Sequence, residues 1–306
     1  MNLPQTTMGR TYIVVIPHTV GPFSDIRACY AQIAAESPWL RVIPPEAFGE
    51  EMQRFAEHDV MFVHWAPSML ERGAIPMQRR ALILPVYSEA LDDDRNCMLP
   101  DHVRDWERFC SLRDCFDGVF AHTPWMAQRT SEGIGKPGFV LPVGYSPVMG
   151  NPAWSCEKHH VALFTGSMIH RRLEFVRKFA NGLSLDLCAG VYGPALIERM
   201  NLSKVTLYIA HSCVQSYSTW RIWQAVCTSS ALATEPGDWW PLEDELCIPL
   251  PRLTQGNIDG VIDMVRTLPF NDAIERARAL RASLEKFTTR YCVENYMIDR
   301  TRGLSR

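Results

Sequence analysis

The sequence predicts an α/β protein of two doubly wound domains, each a mainly parallel sheet with helices on both faces, facing one another across a cleft. Three observations carry this expectation. Short continuous apolar runs alternate with segments of helical periodicity, and such runs suit strands covered on both faces. Near the middle, Tyr145 to His160 breaks the alternation with Pro147, Gly150 and Pro152, directly after Pro142 and Gly144. The length, 306 residues, fits two domains of roughly 150 residues each.

The elements follow in order. Tyr12 to Ile16 is an apolar run closed by Pro17, read as the first strand, and Ser24 or Asp25 caps a helix reaching Glu36. Further strands are read at Asp59–Trp65, Arg80–Val86, Asp117–His122 and Phe139–Gly144. After the linker, strands are expected at Val161–Gly166, Leu185–Tyr192, Val205–Ala210 and Ala231–Thr234, with helices at Arg171–Gly182 and Trp220–Thr228. Asn271 to Arg302 reads as two helical segments rich in Arg and Glu. Strands alternating with helices on both sides of a linker give the two doubly wound domains, with boundaries at 1–148, 149–283 and a C-terminal helix, 284–306, crossing back to the first domain.

Composition narrows the class. Apolar residues at 47% and charged residues at 21% are those of a globular protein, not a disordered or fibrous one. No apolar run is long enough to span a bilayer. The first residues lack a basic stretch followed by a long apolar one, so a cytoplasmic protein is expected and an exported two-domain ligand-binding protein is set aside. Ten cysteines are scattered without a Cys-x-x-Cys pair, which favours buried free thiols over disulfides or zinc. A net charge of −3 argues against a generally basic nucleic-acid binder.

Ligands of open α/β sheets sit beyond the carboxyl ends of the strands, which selects the residues to weigh. In the second half, Thr165-Gly166-Ser167 ends a strand, and Arg171-Arg172 opens the next helix. A glycine turn, a helix N-terminus and two guanidiniums together suit a phosphate, as against an ordinary turn with solvated arginines. Ser218 and Thr219 precede a helix that carries Arg221 and Gln224, and Glu235 follows the strand Ala231–Thr234. Short hydroxyls at a helix start suit a diphosphate, and Gln224 or Glu235 offers a hydrogen-bond acceptor to ribose or sugar hydroxyls. Taken singly, Ser218 and Thr219 read equally as helix caps.

These pieces resemble the donor domain of the GT-B glycosyltransferases. The resemblance rests on Phe164-Thr165-Gly166-Ser167 with Arg171-Arg172, on Leu202 to Ile209, and on Arg221-Ile222-Trp223-Gln224-Ala225 leading into Ala231 to Glu235. It covers most of residues 110 to 300. In that family the third piece reads Arg-x-x-Glu-Ala, the Glu holding the ribose; here Gln224 stands in its place, and Ser230 stands where Gly is usual. The resemblance implies two Rossmann-like domains and a nucleotide-diphosphate sugar as co-substrate, with no other cofactor. The donor would be held by Gly166, Ser167, Arg171, Arg172, Ser218, Thr219, Arg221, Gln224 and Glu235.

The expected reaction is transfer of a hexosyl or pentosyl group to an acceptor hydroxyl, with the acceptor bound by the first domain. Glu89, at the end of a strand, is the first candidate for general base, followed by Asp25 and His122. Each carboxylate also reads as an ordinary loop or helix-start residue, and a retaining transfer needs no such base. Asp92-Asp93-Asp94 is a consecutive acidic run without clear strand context and reads as a solvated loop, not as the Asp-x-Asp triplet of the metal-dependent transferases, so a metal-independent enzyme is expected. The acceptor class stays open between a hydroxymethylated DNA base, a protein, a polysaccharide and a small molecule. Arg41, Arg54, Arg72, Arg79, Arg80 and Arg95 could give the first domain a basic face. The alternative class is a non-catalytic binding module that keeps the fold without turnover, and Gln224 in place of Glu keeps it open.

Overall fold

The computed structural model describes residues 10–16, 24–54, 59–64, 81–88, 100–166, 168, 170–210, 220–237, 246–302 and 304. They fall into two compact units, one drawn from Met1–Glu89, Pro100–Pro142 and Thr289–Arg306, the other containing Val143–Thr288.

The sheet of the first unit comprises β1 (Tyr12–Val15), β2 (Leu40–Ile43), β3 (Val60–His64), β4 (Leu82–Tyr87), β5 (Val119–Ala121) and β6 (Gly138–Val140), in the order β2-β1-β3-β4-β5-β6. Every pairing is parallel. All residues of β1, β3 and β4 are buried, as their unbroken apolar runs require of strands covered on both faces. Its helices are α1 (Ser24–Glu36), α2 (Phe48–Met52), α3 (Pro100–Ser111) and α4 (Pro124–Ile134). Helix α1 buries Ile26, Cys29, Tyr30 and Ile33, a stripe at i, i+3, i+4 and i+7. Helix α4 is written into its sequence. Thr123 caps it by accepting from the Met126 amide at 3.2 Å, Pro124 opens it, and Gly135 closes it in the left-handed region (φ 65°).

In the second unit, β7 (His160–Phe164), β8 (Leu185–Leu187), β9 (Ser203–Tyr208), β10 (Ala231–Thr234) and β11 (Ile248–Pro249) lie in the order β11-β10-β9-β7-β8, again all parallel. The helices are α5 (His170–Gly182), α6 (Gly193–Asn201), α7 (Trp220–Val226), α8 (Ile258–Thr267) and α9 (Phe270–Leu284). Phe164, Phe175, Phe179, Val205, Leu207, Ile258 and Val265 belong to one buried cluster between sheet and helices. Near the start of β9, Asn201 Oδ1 accepts from the amides of Ala153 (3.1 Å) and Ser229 (2.8 Å), and Lys158 Nζ donates to the carbonyls of Asn201 and Ser229. The chain then returns to the first unit through α10 (Thr289–Cys292), a π-helical stretch Val293–Ile298, and α11 (Asp299–Thr301). There Arg290 pairs with Glu36 at 2.7 Å, and Arg10 donates to the Thr301 carbonyl at 3.1 Å.

Strands β2 and β11 and helices α2, α3, α4, α6 and α8 were not among the elements read from sequence. Helix α3 carries Val103, Trp106, Phe109 and Cys110 at helical spacing, a stripe short enough to be passed over, of which only Phe109 is fully buried, and β2 is short with Arg41 exposed. The expected strand Leu185–Tyr192 stops at Leu187 because Gly190 turns the chain through the left-handed region (φ 73°). The described cysteines are free thiols, and Cys29, Cys188, Cys227, Cys247 and Cys292 are buried. Among the described residues no helix is long and apolar enough to cross a membrane.

Candidate functional site

In the second unit the chain places β8 on one side of β7 and β9 on the other, so the strand order reverses between β7 and β9. The carboxyl end of that pair is where such sheets form a crevice. Gly166 lies just past β7 with φ 139°, and a Cβ there would stand 3.1 Å from Arg172 Nη1. The backbone conformation favours glycine here, and the guanidinium beside it leaves a Cβ little room. Gly166→Ala should cost about 1–2 kcal/mol of stability through strain and displacement of Arg172, read as a lowered urea midpoint at unchanged m-value.

Arg172 spans the reversal point. Its Nε donates to the Ile209 carbonyl at 2.7 Å, and its guanidinium lies 5.9 Å from the Phe164 ring centre and 5.8 Å from that of Tyr208, the last residues of β7 and β9. Burial lowers its pKa, opposed by Tyr208 and Glu235; an arginine still stays cationic at physiological pH. Both arginines sit in the first turn of α5, where the helix dipole adds to their attraction for an anion.

Its neighbour Arg171 turns inward. Arg171 Nη1 donates to the Ala210 carbonyl (2.9 Å) and Glu235 Oε2 (2.8 Å), and Nη2 donates to Glu235 Oε1 and the Leu253 carbonyl (2.9 Å). Glu235 also accepts from the amides of Ala210 (2.7 Å) and Leu253 (2.8 Å), and its side chain is 0% exposed. Both carboxylate oxygens and all four Nη hydrogens are thus engaged inside the unit. The pair clamps α5, the end of β9, the end of β10 and the Leu253 segment together beside the crevice. The acceptor that the sequence offered at Glu235 faces Arg171 and two backbone amides.

Helix α7 buries Ile222, Trp223, Ala225 and Val226 completely and Gln224 to 4% exposure; Arg221 and Gln224, three residues apart, share one flank. Arg221 Nη1 donates to Gln224 Oε1, and because arginine only donates, this contact fixes which way the amide faces. Ser167, Ser218 and Thr219 lie outside the described residues.

The first unit reverses its strand order between β1 and β3. Asp25 is buried there in the first turn of α1. His122, past β5, is buried, and its Nδ1 lies 2.9 Å from the Leu141 carbonyl. A proton on Nδ1 satisfies that carbonyl and leaves Nε2 as an acceptor. Burial lowers the His122 pKa. Glu89 lies outside the described residues. Residue order marks His64 only as the end of a strand, yet its surroundings set it apart. It is 2% exposed, and neither ring nitrogen has a hydrogen-bond partner among the described residues. Tyr30 meets it edge-on at 5.4 Å. Burial and nearby His122 push its pKa down to about 3. Among the described residues, no group of three or more His, Cys, Asp or Glu is arranged to hold a metal ion.

No protein-family model matches the sequence, and no curated protein matches it either. Solved structures do. TarM superposes with a TM-score of 0.60 at 12% identity, over 83% of this chain and 57% of that chain. An E. coli structure described as trehalose-6-phosphate bound with UDP-2-fluoro glucose gives 0.61 at 8% identity, over 97% of this chain and 99% of that one. The UDP-forming α,α-trehalose-phosphate synthase of Burkholderia vietnamiensis gives 0.58 at 9%, over 85% and 78%. These neighbours are GT-B glycosyltransferases, and the two parallel α/β sheets of this chain have their fold. The chain spans 57% of the length of the TarM chain.

Proposed function

We propose that this GT-B-fold chain transfers a sugar from a nucleotide-diphosphate sugar to an acceptor hydroxyl. The observation that carries the reading is the arrangement at the β7/β9 reversal, Arg172 across Phe164 and Tyr208, the Gly166 turn against it, and the start of α5, which together suit an anion. UDP is the nucleotide to test first, because structural neighbours are described with UDP or a UDP-sugar. Arg172 and Arg221 would bind the diphosphate and stabilise its charge as it leaves, Gln224 would meet the ribose, and Ser167, Ser218 and Thr219 would add hydroxyls. Arg171 and Glu235 would hold this frame without touching the donor.

With guanidiniums supplying the positive charge, the transfer would need neither metal nor a further cofactor, and activity would survive chelation. For the acceptor, a basic DNA-binding face draws no support from Arg41 and Arg54, since both pair with Glu51, at 3.0 and 3.5 Å. Arg72, Arg79, Arg80 and Arg95 lie outside the described residues. A small hydroxylated acceptor in the cytoplasm is the reading adopted, with Asp25, His122 and Glu89 as the groups to test for proton transfer.

The test is a thermal-shift and calorimetric screen of the full chain against uridine, guanosine, cytidine and thymidine diphosphates and their sugars. One nucleotide family should raise Tm by mass action. Arg172→Ala should then weaken that nucleotide by about 10- to 100-fold, as for loss of a charge-assisted hydrogen bond of roughly 1.5–3 kcal/mol, while far-UV circular dichroism stays unchanged. No response to any of the nucleotides would overturn the reading.

A further inference from the structure

We propose that Arg171 keeps Glu235 from capturing Arg172, so that the charge of Arg172 stays turned to the crevice and to a phosphate-bearing ligand there. This deepens the transferase reading and rests on it in one respect: the ligand would be the diphosphate of the donor. Arg171 is then a positioning residue, which acts on the anion through its neighbours without touching it.

The three charged groups meet around one peptide unit. Arg172 Nε donates to the Ile209 carbonyl at 2.7 Å, and Glu235 Oε2 accepts from the Ala210 amide at 2.7 Å. That carbonyl and that amide belong to the same peptide group, and a trans peptide directs them to opposite sides. A single planar unit therefore stands between the Glu235 carboxylate and the Arg172 guanidinium. The carboxylate is felt across it: burial lowers the Arg172 pKa, and nearby Tyr208 and Glu235 oppose that shift.

Geometry gives Glu235 to Arg171. The Arg171 guanidinium takes both carboxylate oxygens and the carbonyls of Ala210 and Leu253, and it lies 4.8 Å from the centre of the Phe175 ring. Arg172 lies instead against Phe164 and Tyr208, beside the Gly166 turn. The Glu235 side chain is 0% exposed, and a buried carboxylate without a counter-charge is strongly unfavourable. With Arg171 removed, the cation next to it is Arg172, one peptide unit away. An arginine covers that distance by changing rotamers. The captured guanidinium would turn from the crevice, and an anion at the β7/β9 reversal would lose its contact. Charge points the same way, since the trio is cationic with Arg171 present and neutral without it.

The experiment measures calorimetric affinity for UDP and for inorganic pyrophosphate, under conditions where circular dichroism shows each variant folded. It compares the full wild-type chain, Arg171→Met and Arg171→Met/Glu235→Gln, each with and without Arg172→Ala. Arg171→Met should weaken both probes as much as Arg172→Ala does, about 10- to 100-fold. Adding Glu235→Gln should bring affinity back to within about threefold of wild type. Arg172→Ala should keep its full effect in wild type and in the Arg171→Met/Glu235→Gln background. On top of Arg171→Met alone it should cost less than about twofold, because Arg172 is already withdrawn. A long-range loss of charge would instead add to the effect of Arg172→Ala and fade as salt rises. Arg171→Lys keeps the charge without the bidentate grip. Where a methionine variant fails to fold, Arg171→Lys carries the same comparison, with a loss of about threefold that Glu235→Gln reverses. An equal effect of Arg172→Ala with and without Arg171, or no recovery with Glu235→Gln, overturns the proposal. If UDP fails to bind wild type while pyrophosphate follows this pattern, the transferase reading fails and the part played by Arg171 stands. If neither probe binds wild type, both fall.

Discussion

Glu235→Ala should remove about 3–5 kcal/mol of folding free energy, the usual cost of deleting one partner of a buried ion pair. The carboxylate is fully enclosed, and three groups depend on it: the Arg171 guanidinium, at 20% side-chain exposure, and the amides of Ala210 and Leu253. Alanine would leave a cation without its counter-charge and two backbone donors without acceptors, at the junction of four segments. Domains of this kind are stable by roughly 5–15 kcal/mol, so the variant should lie close to its unfolding transition at about 37 °C. The double variant Arg171→Met/Glu235→Leu should recover much of the loss, because burying two apolar groups is cheaper than burying one unpaired charge. Urea unfolding of the wild-type, single and double variants measures both. A single-variant loss below about 1 kcal/mol, the range of an exposed pair, would deny the clamp its structural part and return Glu235 to the donor.

Acid should weaken the protein through His64. In the unfolded chain this imidazole takes a proton near its ordinary 6.5, whereas in the folded unit it does so only near 3. Between these values the unfolded chain holds more protons, so stability falls as pH falls from about 6.5 towards 3 and is unaffected above that window. The expected loss is roughly 2 kcal/mol from pH 7 to pH 5, and His122, also lowered by burial, works in the same direction. Other groups titrate over this range, so the quantity to measure is the stability difference between His64→Phe and wild type at both pH values. The variant should gain on wild type by about 2 kcal/mol on going to pH 5. A difference independent of pH would show that His64 is protonated as readily folded as unfolded.

Much of this architecture can be read from residue order. The apolar runs of β1, β3, β7, β9 and β10 announce buried parallel strands, and Thr123-Pro124 with Gly135 marks both ends of α4. Gly166 is legible too, since a glycine between a strand and a helix bearing two arginines marks a tight turn with room for an anion. What the sequence does not resolve is the division of labour between Arg171 and Arg172. Adjacent helical residues point about 100° apart, and only three-dimensional partners show that Arg171 is engaged with Glu235, Ala210 and Leu253 while Arg172 lies across Phe164, Tyr208 and Ile209. The same holds for Glu235: a carboxylate after a strand looks available until its neighbours are known. His64 could have been found from its place at a strand end next to the reversal point, but its lack of partners is visible only in three dimensions.

The return of Thr289–Arg306 to the first unit has a consequence for the order in which the protein is made. Translation completes Val143–Thr288 before it supplies the helical stretch that places Arg290 on Glu36 and the Thr301 carbonyl on Arg10. The unit begun first is therefore finished last. Until then α1 lacks its packing partner, and the nascent chain carries a closed second unit beside an open first one. In that interval the apolar side of α1 is exposed, and transiently exposed apolar surface is prone to aggregation, so substitutions that loosen Thr289–Arg306 should reduce the yield of folded protein more than they reduce the stability of what has folded.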